Sequence, residues 1–505
     1  MPRFKGTPQD PKQFWLIAPS LDDMVSEKNE VRVLSELMEN LNWKILESSY
    51  YDRGTPAYPP KVMTKILVFA YSKGVRSSRR IEELVESDVR YMWLAGGLKP
   101  DFHTIARFRK EKFDLLSQLF ADSVRLCKSL GLVNLNIVAV DGTKIAADAS
   151  RKSLYDSKRV DKELEEVKRI LSEAEDVDKS EDAELGDHNG RDVPEHLQDA
   201  KSRKAILEDL KKKLDEGDAR IISTSDEDCR MMKTTEGIKP AYNVQAAVDS
   251  QSQVVLAMKV TQRANDYSQL PDMISEVQKN CDMSGVMYLA DTGYSDESTL
   301  KYLADTSQEA LISLKRQSLV DTSNNLFSSN CFLADCDRDV LICPAGRELS
   351  FSYESQCGSG RYRTYSAHGC ASCSFREQCV KLGRGSRRVS ISCENTLREN
   401  MKDKLKSPAG KELYDLRKEI VEPVFGQTKH DRGCKRLLLR GISGAISEMS
   451  LVFLVHNLLK CVKQAKYFAF LMKIGIGCIY NRCKYFLSIS MNYTEGCFRP
   501  FESYY

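Results

Sequence analysis

Two short apolar runs, Asn136-Ile-Val-Ala-Val-Asp141 and Gly285-Val-Met-Tyr-Leu-Ala-Asp291, each close on an aspartate, with about 150 residues between the two acids. Both read as strands carrying an acid at the end. Between them Tyr242, Val244, Ala246 and Val248 alternate with Asn243, Gln245 and Asp249. A turn at 250–252 then leads into Val254 to Val260, which completes a hairpin. A helix over about 266–280 precedes the second acid-bearing strand, and Ala310 to Leu314 reads as one more strand after a further helix. This order commits the chain to an α/β core with a mixed sheet.

A ribonuclease-H-like mixed five-stranded sheet arranges its elements in nearly this way. Its first and fourth strands lie side by side, so Asp141 and Asp291 would meet, and the later helix bearing Glu422 would come over the same sheet edge. Three carboxylates can hold two divalent metals, Mg2+ or Mn2+, and divide the work of phosphodiester cleavage between attacking and leaving oxygens. Each acid alone says little, since Asp-Gly-Thr at 141–143 is by itself a common turn. One rival is set aside by the residues. Phosphatases of the haloacid dehalogenase type carry a nucleophilic Asp two residues before the Asp of such a turn, and here that position is Ala139.

Around this core the chain divides by pattern. Residues 1–125 read as an all-α N-terminal domain: Pro59 and Pro60 precede a helix with Val62, Ile66 and Phe69 at helical spacing, and Ile81, Leu84 and Val85 mark another. After Gly96, Gly97 and Pro100, Asp101 caps a helix with Ile105 and Phe108 inward and Arg107, Arg109, Lys110 and Lys112 on other faces. That outline fits a helix-turn-helix that contacts DNA through Arg107 and Arg109, and it fits a plain helical bundle as well. The catalytic core would span 126–320, interrupted at about 150–235 by a charged helical hairpin with an acidic middle. Residues 321–405 would form a Cys-containing basic insertion, 406–465 the last catalytic helices, and 466–505 an aromatic and Cys-rich tail that matches nothing recognisable.

Net charge over 505 residues is only +3, so any nucleic-acid surface must come from segregated charge. Such segregation is present between Lys429 and Lys466, with eight Lys or Arg against Asp431 and Glu448. The start of the chain lacks a signal-peptide core, and the longest apolar candidate, Phe468 to Tyr480, contains Lys473. The expectation is a cytoplasmic protein with no membrane partner and mostly reduced cysteines. Cys343, Cys370, Cys373 and Cys379 lie in the basic insertion, and Cys-x2-Cys is a natural chelate. Buried reduced thiols, a zinc site and an iron–sulfur cluster are all compatible with that spacing.

Several segments together carry a specific resemblance. Tyr58-Pro-Pro-Lys-Val-Met-Thr-Lys-Ile-Leu67, Arg76-Ser-Ser-Arg-Arg-Ile-Glu-Glu83, Trp93-Leu-Ala-Gly-Gly97, Pro100 to Arg109, Val140-Asp-Gly-Thr-Lys-Ile145, Tyr242 to Asp249, Ala290-Asp-Thr-Gly-Tyr294, Val421 to Lys429 and His456-Asn-Leu-Leu-Lys460 stand in one order. In that order they resemble bacterial DDE transposases of the insertion-sequence 1182 group. The resemblance implies a metal-binding triad of Asp141, Asp291 and Glu422. It implies an enzyme that binds the terminal inverted repeats of its own element, cuts double-stranded DNA and joins the ends to a target, working as a homodimer on paired ends. The alternative is a transposase-derived DNA-binding protein that no longer cuts.

The wider superfamily often places Tyr, Arg, Glu and Lys in one motif. Tyr414, Arg417, Glu422 and Lys429 fit it, except that four residues rather than three separate Arg417 from Glu422. Glu422 and Lys429 are two helical turns apart and could share a face, with Lys429 holding phosphate. Pro423 either starts a helix or kinks one already running. Tyr414 and Arg417 therefore read as packing and a surface ion pair as readily as DNA contacts, and Glu419 competes with Glu422 as the third acid.

Overall fold

Alternating and continuous apolar runs form one mixed sheet in the computed structural model, which describes residues 20–43, 57–185, 195–217, 219–281, 285–314, 320–321, 326–335, 338–357, 360–381, 384–392 and 395–473. Two compact units divide the chain: Val133–Ile446, and the residues up to Leu132 together with those from Ser447 on. The last long helix, expected with the catalytic core, thus groups mainly with the N-terminal helices. Of the expected tail, everything from 474 on lies outside the described residues, as does 186–194 of the acidic segment.

The Val133–Ile446 unit starts with β1, Ile137–Ala146. It runs five residues beyond Asp141, so this acid sits within the strand and not at its end as the sequence suggested. The reason is pairing: Asp141 to Ala146 continue the antiparallel ladder opposite Ala246 to Ala241. The charged hairpin follows. Its base is the short pair β2 (Leu154–Asp156) and β3 (Ile221–Ser223). Its arms, helices Ser157–Leu185 and Glu195–Glu216, enclose a core of their own with Val160, Leu164, Val167, Leu207 and Leu210.

The main sheet resumes with β4 (Arg230–Thr234), β5 (Gly237–Asp249), β6 (Val255–Thr261), β7 (Met287–Ala290) and β8 (Glu309–Ile312). The order is β4-β5-β1-β7-β8, with β6 also paired to β5. Strands β1, β7 and β8 run parallel, while β5 is antiparallel to β1 and β6 is antiparallel to β5. Five strands in the order β6-β5-β1-β7-β8 give the ribonuclease-H-like arrangement, and β4 adds a sixth along the start of β5. Parallel neighbours need crossovers. Helices Leu270–Cys281 and Glu297–Asp305 supply them. Val138, Ala139, Val140, Leu289 and Ala290 are fully buried, as strands covered on both faces require.

The Cys-containing insertion is a small β structure. A two-stranded ribbon of β9 (Val320–Asp321) and β10 (Leu326–Phe327) precedes a five-stranded antiparallel sheet. That sheet comprises β11 (Leu333–Asp335), β12 (Val340–Ile342), β13 (Glu348–Cys357), β14 (Gly360–Ala367) and β15 (Arg388–Ser392), in chain order. Helices Asn395–Lys406 and Pro408–Gly426 then return to the main sheet.

The helical unit has Pro60 in the first turn of helix Pro60–Ser72, and Asp101 caps helix Phe102–Glu111 by accepting from the Thr104 N–H at 2.8 Å. Arg107 is exposed on that helix. Arg109 corrects the sequence expectation of an outward, DNA-facing side chain: it is 4% exposed and donates to Tyr71 Oη (2.9 Å), the Arg76 carbonyl (2.7 Å) and Ser78 Oγ. Arg76 in turn forms a buried ion pair with Glu448 at 2.7 Å. A guanidinium surrounded by acceptors in a core fixes packing and is not offered to phosphate. The stretch Gly441–Ala465 of the last helix is long and apolar enough to cross a membrane, but most of its most apolar part is buried inside the protein.

Candidate active site

Strand register brings the two acids together. Val140 pairs with Ala290 across the parallel β1–β7 ladder, so Asp141 and Asp291 are the next residues on adjacent strands. Asp291 leaves β7 as the cap of the Thr292–Tyr294 turn, its Oδ1 accepting from Gly293 N–H at 2.7 Å. Asp141 accepts from Gly142 N–H at 2.8 Å and from Arg417 Nη1 at 3.0 Å. Burial pushes the Asp141 carboxyl up to about 6 and the Asp291 charge adds to that, against the downward pull of Arg417. Arg417 is therefore more than a surface ion pair. Its side chain is 11% exposed and meets Asp141 from helix Pro408–Gly426.

A third carboxylate at this place went unnoticed in the sequence. The helix expected to start near 266 starts at Leu270, and the preceding loop brings Asp266 to the sheet. Asp266 Oδ1 accepts from Gln245 Nε2 and Asn243 Nδ2, both at 2.7 Å, and from Lys144 Nζ at 3.1 Å. Tyr294 donates to Gln245 Oε1, extending the network toward the Asp291 turn. Asn243, Gln245 and Asp249, the polar members of the strand's alternation, are all fully buried. Buried polar side chains must find partners. Asp266 is the partner of the first two, and backbone N–H groups of Asn134, Leu135 and Gln251 serve Asp249. A polar alternation on a central strand was the available signal.

Glycines give the acids room to converge. A Cβ on Gly142 would stand 2.6 Å from Asp266 Oδ1 and would also meet Gln245 Nε2. One on Gly293 would stand 2.9 Å from Asp291 Oδ1 and 3.2 Å from Asp266 Oδ2. Asp266 thus lies between the segment bearing Asp141 and the turn bearing Asp291.

The third acid expected from sequence stands differently. Glu422 is exposed on helix Pro408–Gly426, five residues beyond Arg417, and has no ion pair or hydrogen bond among the described residues. Helical geometry turns it about 140° away from Arg417, outside the buried stripe of Ile420, Val421 and Val424. The helix runs through Pro423, and the Glu419 carbonyl that the proline leaves without an N–H accepts from Gln253 Nε2 at 3.0 Å. After Gly426 the helix widens into a π turn over Gln427–Asp431 that carries Lys429. Burial lowers the Lys429 ammonium pKa, and Lys144 adds to that shift. Tyr414 is half-buried on the Arg417 helix. Exposed Lys435, Arg436 and Arg440 continue the basic run, with Arg436 and Arg440 both bonded to Asp148.

The oxygen-only donors of Asp141 and Asp291, the first raised mainly by burial and further by the second's charge, suit a hard divalent cation such as Mg2+ or Mn2+. Among the described residues, however, no group of three or more His, Cys, Asp or Glu is arranged as it stands to hold a metal ion. Cys343, Cys370, Cys373 and Cys379 do share the lining of one small cavity.

Two family models match separate parts of the chain. Residues 342–462 match the family described as "Transposase DDE domain", and residues 19–111 match "Transposase domain (DUF772)". No curated protein matches the chain. A similar solved structure is that of a piggyBac transposase synaptic complex with hairpin DNA, at 11% identity over 92% of this chain and 79% of that one. Its TM-score is 0.32, too loose a likeness to argue from.

Proposed function

From a chain of the general DDE-domain transposase family, carrying two transposase segments and a ribonuclease-H-like sheet, we propose a metal-dependent DNA strand-cleaving and strand-transfer enzyme. In this reading it acts, as a homodimer, on the terminal inverted repeats of an insertion sequence of the 1182 group. The observation that carries it is the β1–β7 register, which makes Asp141 and Asp291 neighbours. Bound Mg2+ or Mn2+ would activate the attacking oxygen and stabilise the leaving one.

The chain's own residues supply the rest. Asp141 and Asp291 would hold the cation, Arg417 would yield Asp141 to it, and Glu422, which now faces away, would have to turn toward them with its helix to complete the set. Asp266 holds Lys144, Asn243 and Gln245 in place beneath the acids. Lys429, Lys435 and Arg436 would hold phosphates electrostatically, and exposed Arg107 would contact DNA from the helical unit. Tyr414 would position Arg417 from the preceding turn.

A second reading has a specific support: Arg417 already neutralises Asp141 and Glu422 stands apart, as in a DNA-binding descendant that no longer cuts. End-containing DNA incubated with Mg2+ and wild type, Asp141→Ala, Asp291→Ala or Glu422→Ala distinguishes the two. The enzyme reading expects cutting by wild type, at least 100-fold loss in each variant and retained DNA binding. Equal cutting by all four proteins would remove the triad, and no cutting with firm end binding would favour the descendant.

A further inference from the structure

The β subdomain of residues 326–392 has a small core. Its buried apolar members are Phe332, Leu341, Leu349, Tyr365, Val380 and Val389, with Ala367 and Cys379 completing the cluster. Units of this size usually need a covalent or metal staple. Four cysteines lie around one cavity there, though not yet close enough together to hold an ion as they stand. Cys343, Cys370, Cys373 and Cys379 line a single cavity of about 20 Å³.

Three of the four sit in two tight turns, and Cys379 ends the short helix Arg376–Cys379. In Cys343-Pro-Ala-Gly-Arg347, Gly346 has φ +74°, its N–H bonds the Cys343 carbonyl at 2.8 Å, and the Arg347 N–H points at Cys343 Sγ at 3.4 Å. In Gly369-Cys-Ala-Ser-Cys373, Gly369 has φ +73° and the Cys373 N–H bonds the Cys370 carbonyl at 3.3 Å. The Arg347 guanidinium donates to the Gly369 carbonyl, tying the two turns together. A backbone N–H aimed at Cys343 Sγ, and a guanidinium that ties the two cysteine turns together, help to orient thiolates toward an ion.

We propose that Cys343, Cys370, Cys373 and Cys379 bind one zinc ion as four thiolates, a structural staple for this subdomain. Four thiols around one small cavity suit a single tetrahedral ion. Charge agrees with this choice. Zinc with four thiolates carries two negative charges, and Arg347, Arg376 and Arg387 line the same cavity. On binding, each thiol gives its proton to solvent, four in all, and the sulfurs must draw together around the ion. No electron transfer is involved. The staple does not depend on the strand-cleavage reading, because its readout is metal content.

Full-length protein purified without chelators, with zinc and iron measured per chain by mass spectrometry, tests it. About one zinc per chain in a colourless protein is the expected result. Cys370→Ser and Cys373→Ser should each cut retained zinc at least tenfold after dialysis, while Cys331→Ser, against the same core but outside the set, should keep it. Cobalt substitution of wild type should give the intense bands of a tetrahedral thiolate site. Less than 0.1 zinc per chain on the order-of-magnitude scale of such stoichiometries, a brown iron-containing protein, or zinc retained in both Cys370 and Cys373 variants would each overturn the proposal.

Discussion

At the scale of single residues, the site depends on how closely side chains from distant segments approach Gly142. A Cβ there would meet the half-buried carboxylate of Asp266 and the buried amide of Gln245, which are held by each other and by Lys144, so neither can withdraw freely. Gly142→Ala is therefore expected to destabilise the protein by roughly 1–3 kcal/mol, as overpacking does. Cleavage should fall more than stability explains, because Asp141 is the adjacent residue. Chemical denaturation and cleavage assays on one preparation check both. Asp141 and Asp291 were legible in the sequence because each ends or follows an apolar run. Asp266 and the Arg417–Asp141 contact were not, since those bonds join residues far apart in sequence and follow only from the packing of a loop and a helix on the sheet. Arg109 misled for a related reason: a basic residue one position past an inward Phe108 reads as surface, yet acceptors from Tyr71, Arg76 and Ser78 enclose it.

At the scale of elements, the loop that delivers Asp266 is anchored by the next crossover helix. Asp296 caps helix Glu297–Asp305, accepting from Thr299 N–H at 3.1 Å, and reaches back to Ser268 N–H at 2.9 Å. Burial pushes this carboxyl up, but hydrogen bonds from Ser298, Ser268 and Thr299 more than offset it, so its pKa is lowered. A lowered acid contributes stability above its unfolded value and loses it as pH falls through the folded one. Asp296→Ala should thus cost roughly 1–2 kcal/mol at neutral pH, with the gap to wild type closing below about pH 4. Thermal melts across that range read it directly. Strand identities and the hairpin were readable from period-two alternation, and the charged hairpin from its composition. Element ends were less readable. β1 continues past Asp141 because β5 offers a partner, and a helix passes through Pro423 because Gln253 satisfies the carbonyl the proline orphans.

At the scale of the whole chain, a mixed sheet with two insertions carries the acids, and a helical unit is built from both the beginning of the chain and its last long helix. Sequence order alone could not show that second arrangement, because apolar periodicity identifies a core helix without naming the core it joins. The central claim is that Asp141 and Asp291 hold the cation that cuts DNA. Thiol substitution tests it most directly, since sulfur binds Mg2+ poorly and softer ions well. End-DNA cleavage by Asp291→Cys should be lost in Mg2+ and return in part in Mn2+ or Cd2+. Wild-type rates in Mg2+, or a loss that no thiophilic ion relieves, would contradict the claim.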